Sequence, residues 1–206
     1  MLFKGLISGL SPCIWFCLML YLYPWIFLFF FGYALYGVWY GKIAIMTGAK
    51  RFISWNCRGL GNPQSIRALH NMVQRWNPKV VFLIVTKAKT RRMEGIKNKI
   101  GLANGLIVPC VGKKGGLALL WTREIDLEIK SYSLNHIDDV INDAEKNIKW
   151  RLTSFYGHPE THRRYESWHL LAFLNNQQHL SWFCLGDFNE ILSNSEKSGG
   201  AIRTQQ

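Results

Sequence analysis

The sequence predicts a mixed α/β protein, with two packed sheets flanked by helices, preceded by a hydrophobic N-terminal segment. Three observations carry this. From Phe52 onward, short apolar runs of strand type alternate with stretches whose apolar residues recur at helical spacing. Residues 79–85, KVVFLIV, are nearly all apolar, the pattern of a strand buried on both faces. Residues 14–40 hold no charged side chain, although the 206-residue chain has 25 Lys and Arg, 13 Asp and Glu, and a net charge of +12. The order strand, helix, strand, helix, several strands, helix, strand is that of two sheets with helices outside them.

The uncharged run 14–40 is long enough for a transmembrane helix, which needs roughly 20 apolar residues. Trp15, Trp25, Trp39 and Tyr40 include residues near both ends, as interfacial belts prefer. Pro24 and Gly32 would kink such a helix without forbidding it. Lys4 alone precedes the run, whereas Lys42, Lys50 and Arg51 follow it, so the positive-inside rule leaves the body of the protein in the cytosol. A cleaved signal peptide is a poorer fit, because the run exceeds the usual apolar region and no A-x-A site ends it. The alternative is sequence joined to the body by chance or by a wrong gene model; the protein is then nuclear or cytoplasmic. The chain therefore divides into a hydrophobic segment, 1–50, and a body, 51–206.

In the body, Phe52–Cys57 is the first strand and residues 58–63 a loop. Asn62 caps a helix that Pro63 opens. Ile66, Leu69, Val73 and Trp76 mark its buried stripe, and Asn77-Pro78 stops it. The strand 79–85 follows. Met93, Ile96 and Ile100 define a shorter helix that Gly101 ends. Gly105–Cys110, Leu117–Trp121, Asp126–Tyr132 and Lys149–Tyr156 are strands, with Asn142–Asn147 as a polar hairpin turn. Residues 161–174 are helical, with Thr161 as cap and Tyr165, Trp168 and Leu171 on one face. The strand at Trp182 closes the readable part. No internal repeat is visible.

The basic body fits a polyanionic partner such as nucleic acid. Of the five cysteines, Cys57, Cys110 and Cys184 sit at or beside strand-like runs, where a free thiol acts as a small buried hydrophobe. With Cys13 and Cys17 the number is odd and no CxxC occurs, which fits a reducing compartment. His158 and His162 lie four apart, but Pro159 between them rules out the HExxH zinc helix.

Chemistry concentrates at strand ends. SWFCLGDFNE, Ser181–Glu190, is an apolar strand that delivers Asp187 and Asn189. Asp187 supplies a hard anionic oxygen suited to Mg²⁺. The Asn189 amide can orient a phosphate or a water, although Gly-Asp-x-Asn is also good turn chemistry. Asn56 closes the first strand, and Tyr156 closes WRLTSFY before Gly157-His158-Pro159. The segments WNCRGLGN (55–62), GGLALLW (115–121), FYGHPE (155–160) and GDFNEIL (186–192) together resemble the endonuclease/exonuclease/phosphatase superfamily. They are most similar to the endonuclease domains that accompany reverse transcriptase in plant non-LTR (LINE) retrotransposons. The likeness runs from about Phe52 to Gly200.

The resemblance implies a four-layer α/β sandwich of deoxyribonuclease type and Mg²⁺-dependent phosphoester hydrolysis, Mn²⁺ being a substitute. It implies that Asn56 arranges metal and phosphate and that Tyr156 hydrogen-bonds the phosphate. It assigns Asp187 to the metal and the attacking water, and Asn189 to the transition state. Two departures imply lost activity. Val85 stands where the family's LxETK pattern has its metal-binding Glu, and Glu94 falls in the second helix. The family's final Ser-Asp-His motif does not occur before Gln206, so the expectation is a partial sandwich. Three readings follow: an inactive retrotransposon-derived endonuclease domain, a nucleic-acid-binding remnant, or a small membrane-anchored protein. Binding would use Arg58, Lys113, Lys114, Arg163 and Arg164, with the Arg91-Arg92 pair; each basic pair is also ordinary surface chemistry.

Overall fold

The structure is a computed structural model that describes residues 36–40, 43–47, 50–112 and 114–189. Its strands are β1 (Tyr36–Tyr40), β2 (Ile43–Thr47), β3 (Phe52–Asn56), β4 (Val80–Ile84), β5 (Asn104–Val108) and β6 (Leu117–Trp121), followed by β7 (Asp126–Tyr132), β8 (His136–Asp143), β9 (Ile148–Tyr156) and β10 (Ser181–Asp187). The helices are α1 (Pro63–Trp76), α2 (Thr90–Ile100) and α3 (Arg164–Asn175), with a 3₁₀ turn at Thr161–Arg163.

The strands form a six-stranded sheet, β1-β2-β3-β4-β6-β5, and a four-stranded sheet, β10-β9-β8-β7. Alternation along each strand sends successive side chains to opposite faces. Phe52, Phe82, Ile84, Leu117 and Leu119 from the first sheet meet Ile137, Ile141, Leu152 and Leu185 from the second. The outer face of the six-stranded sheet, with Ile53, Val81, Leu83 and Leu120, packs on Leu69 and Val73 of α1 and Met93, Ile96 and Ile100 of α2. The outer face of the other sheet, with Phe155, Trp182 and Cys184, packs on Leu171 and Leu174 of α3. Helices, sheet, sheet and helix make the four layers.

The local signals act as their chemistry dictates. The Asn62 side chain accepts from the Gln64 amide at 2.9 Å and caps α1, with Pro63 in its first turn. Asn77 ends α1 in a left-handed conformation, φ 41°, and Gly101 ends α2 at φ 78°. All five residues of β4 are buried. Cys57 and Cys184 are buried free thiols, whereas Cys110 is half-buried. Burial pushes the Cys57 thiol up to about 11, and it donates to Ile84 O at 3.2 Å, so it is an inert packing group.

Three expectations need correction. Residues 36–40, read as the end of an apolar helix, are β1, paired antiparallel with β2, which in turn pairs with β3. Val38, Trp39 and Tyr40 are residues of high strand propensity, and a neighbouring strand satisfies their backbone. The rest of the run, 14–35, lies outside the described residues. Among the described residues no helix is long and apolar enough to cross a membrane. Second, β8, to which no element was assigned, runs through Asp143, so the turn read at Asn142–Asn147 narrows to Ala144–Asn147. Its alternation is masked because His136, Asp138 and Asp139 are polar yet buried. Third, α3 turns a different face inward. Ser167, Leu171 and Leu174 are buried, whereas Tyr165 is 60% and Trp168 45% exposed. Thr161 opens the 3₁₀ turn without capping it. Two bonds from outside the helix orient it: Arg151 Nη1 donates to Leu174 O at 2.5 Å, and the His158 amide donates to Ser167 Oγ at 2.8 Å.

Candidate active site

Two parallel strand pairs aim their C-terminal ends at one end of the inter-sheet cleft. In one sheet β3 runs beside β4, with Asn56 in register with Ile84. In the other β10 runs beside β9, with Asp187 in register with Tyr156. Strand alternation turns Asn56, Tyr156 and Asp187 toward the cleft, on the same faces as Phe52, Leu152 and Leu185. The Asn56 Nδ2 donates to Asp187 Oδ2 at 2.7 Å, which closes the two sheets against each other across 131 residues of sequence. Gly186 is required here by close approach: a Cβ at that position would lie 1.8 Å from Phe155 O. Gly157 is likewise crowded by Phe188 O, 2.1 Å from where its Cβ would be.

The segment past β10 is tied down by its own side chains. The Asn189 amide donates to Asp187 Oδ1 at 3.1 Å, and its Nδ2 donates to Gly157 O at 2.7 Å. Asn189 takes φ 53°, a left-handed conformation that Asn tolerates. Phe188 packs on Phe155 with ring centroids 5.3 Å apart. Burial and then the charge of Asp187 raise the Tyr156 hydroxyl above its ordinary range; a hydrogen bond from Asn189 and the charge of Arg58 oppose this. Tyr156 is therefore a neutral hydrogen-bond donor at pH 7. Asn56 Oδ1 is buried without a hydrogen-bond partner among the described residues.

The structure brings Asn56, Tyr156, Asp187 and Asn189 together. Val85 stands directly after β4 at the same end, packed against the inter-sheet core. It takes φ 55°, a conformation that is costly for a β-branched residue. Glu94 lies on α2, paired with Lys97 at 2.7 Å.

The basic candidates separate. Arg58 and Lys114 are exposed on loops at the site end, and Lys113 lies outside the described residues. Arg92 is a structural clamp, donating through Nε to Leu60 O at 3.2 Å and through Nη2 to Gly61 O at 2.9 Å. Arg163 is exposed and held in a forked pair by Glu166, at 2.9 and 2.8 Å, while Arg164 is half-buried. Sequence reasoning missed Lys87. It is exposed, two residues past Val85, and its Cδ would lie 3.4 Å from a Cβ at Gly59, so it runs over the turn that carries Arg58. The available signal was its place three residues past the end of β4, at the Lys of the LxETK pattern that Val85 interrupts.

The residues at the strand ends do not make a divalent-cation site. Mg²⁺ demands hard oxygen donors in near-octahedral array, with one or two carboxylates. Of the four strand ends only that of β10 carries a carboxylate, and both its oxygens already accept hydrogen bonds. Val85 has no ligand atom. Asn56 Oδ1 is a spare oxygen, but a neutral one. Among the described residues no three His, Cys, Asp or Glu converge as metal ligands.

The chain is similar in fold to solved structures of low sequence identity. It matches the human Nocturnin catalytic domain with a TM-score of 0.53 at 11% identity, over 68% of this chain and 65% of that one. An AP endonuclease from Archaeoglobus fulgidus matches with a TM-score of 0.51 at 15% identity, over 67% and 56%. A 3′ phosphatase from Neisseria, NExo, solved with a product DNA hairpin, matches with a TM-score of 0.50 at 13% identity, over 68% and 58%. The chain thus spans 56% to 65% of the length of these structures. No curated protein matches the sequence. The model of the Endonuclease/Exonuclease/phosphatase family matches residues 53–205, three quarters of the chain, and with the four layers and the converging strand ends it places this protein in that family.

Proposed function

We propose that this chain is a nuclease-type member of its family, of retrotransposon endonuclease descent, that does not hydrolyse phosphodiesters by the family's metal-dependent route. The observation that carries this reading is Val85 at the end of β4, beside the Asn56–Asp187 pair. A carboxylate there would draw a divalent cation to the cleft; two methyl groups do not. The retained Asn56, Tyr156 and Asn189 supply polar groups that can hold a phosphate. They do not supply the Lewis acid that stabilises the leaving charge.

The test is nicking of supercoiled plasmid by the full-length chain in Mg²⁺ and in Mn²⁺. The expected result is background activity. Nicking that purifies with the protein and vanishes in Asp187→Ala would overturn the reading. Calorimetric titration of Val85→Glu supplies the positive control. A carboxylate added next to Asp187 should tighten Mn²⁺ on the order of tenfold. Unchanged metal affinity in a folded Val85→Glu protein would show that residue 85 does not face the metal position.

A further inference from the structure

Three loops meet at the site end of the six-stranded sheet, and backbone hydrogen bonds zip them into one platform. Cys57 N donates to Ile84 O at 3.0 Å and Leu60 N to Thr86 O at 2.9 Å. Thr86 N and Lys87 N donate to Gly116 O and Gly115 O, each at 3.0 Å. The loops span residues 57–62, 85–89 and 109–116, and none contains an Asp or Glu. Arg58, Lys87 and Lys114 are exposed on them.

The backbone marks the same place. The described non-glycine residues with positive φ are Arg58, Asn77, Val85, Lys87, Asn147 and Asn189. Asn accepts this conformation readily; Arg, Val and Lys do not. All three that are not Asn lie on the platform, with Arg58 at 52°, Val85 at 55° and Lys87 at 50°. Strain of this kind persists only where the surroundings over-determine it, and it clusters at binding sites. Here it holds two long cationic side chains just past two adjacent strand ends on one wall of the cleft.

From this geometry, and resting on the non-cleaving reading above, we infer that the platform binds a phosphodiester of a polynucleotide directly, without a divalent metal, through Arg58 and Lys87. With Val85 in place of a carboxylate the platform holds no anionic group of its own, so its cations are not offset there. Arg58 offers a planar fork matched to two phosphate oxygens, and Lys87 a point charge. Tyr156, held neutral, adds a donor from the opposite sheet. Asp187 is kept from repelling the phosphate strongly because Asn56 and Asn189 donate to both its oxygens.

The experiment is fluorescence anisotropy of a labelled oligothymidylate with the full-length chain, in EDTA and in Mg²⁺. Binding in EDTA, not strengthened by Mg²⁺, is expected. Its log–log salt slope should be about −0.7 per phosphate neutralised. Arg58→Glu and Lys87→Glu should each weaken binding on the order of tenfold, as loss of a charge-assisted phosphate hydrogen bond does. Lys149→Glu, an equal charge change at the far end of β9, should matter far less. Equal weakening by Lys149→Glu would overturn the inference, since general charge would then suffice. No binding in either buffer would overturn it and leave the non-cleaving reading standing. Binding only in Mg²⁺ would sink both. The EDTA–Mg²⁺ comparison uses the unaltered chain and so decides the matter even if a variant misfolds.

Discussion

Asp139 sits in surroundings hostile to a charge. It is fully buried, faces the inter-sheet core between Ile137 and Ile141, and neither carboxyl oxygen has a hydrogen-bond partner. Arg151 is fully engaged by Asp138 on the other face of β8. Burial, and then the charge of Asp138, hold Asp139 well above the ordinary carboxylate range. The folded state therefore binds this proton more tightly than the unfolded state. Its contribution to stability is greatest below the ordinary Asp value of about 3.9 and is lost as pH rises toward the raised folded value, by up to about 1.4 kcal/mol per pH unit. In Asp139→Asn this slope should vanish. Urea midpoints of both proteins, taken across that window, check it; parallel pH profiles would show that Asp139 does not titrate on unfolding.

At the scale of elements, the four-stranded sheet is organised by Arg151 and by Gly186. Arg151 is 1% exposed, grips Asp138 at 2.8 and 2.9 Å, and stacks over Trp182 with its guanidinium 5.0 Å from the ring centroid. Thr153 joins by donating to Asp138 and accepting from Trp182 Nε1. One cation thus ties β8, β9, β10 and α3. Removing its partner in Asp138→Ala strands a buried charge, and stability should fall by about 3–5 kcal/mol in denaturant unfolding. A loss under about 1 kcal/mol would mean that water reaches Arg151. Gly186 acts through space. In Gly186→Ala the new Cβ collides with Phe155 O, so β9 and β10 must part. The expected cost is about 1–3 kcal/mol or more. Amide exchange of Gly157, whose N–H donates to Asp187 O at 2.9 Å, should quicken in this variant.

For the whole molecule, the β1–β2 pair decides what the edge of the larger sheet is. β2 covers β3, the strand that ends in Asn56. A chain beginning at Lys50 would bare the β3 edge, with its unpaired N–H and C=O groups, and this is a template for association. That chain should sediment as oligomers in a concentration-dependent way and lose its cooperative thermal transition. A monodisperse, cooperatively melting species would show that β3 does not need the cover.

The sequence by itself determined most element positions and the chemistry of the strand ends. Leu117–Trp121 and Asp126–Tyr132 are strands over the very residues read as such, and α1 starts and stops where Asn62, Pro63 and Asn77 place it. Periodicity, capping and turn preference are local, so they are written within a few residues. The motif residues Asn56, Tyr156, Asp187 and Asn189 stand at or just past the ends of apolar runs, and they were legible as one set through the resemblance of the segments that carry them. What only the tertiary structure decided is long-range. Whether β8 is a strand depends on Arg151 satisfying Asp138. Which face of α3 is buried depends on bonds from β9 and from the loop beyond it. Lys87 becomes a site residue because three loops bond to one another, and Asn56 meets Asp187 because two sheets stack. These contacts join residues from 9 to 131 positions apart, farther than the turn-by-turn signals of capping and periodicity reach, and burial of a polar group is stable only when its partner is delivered with it.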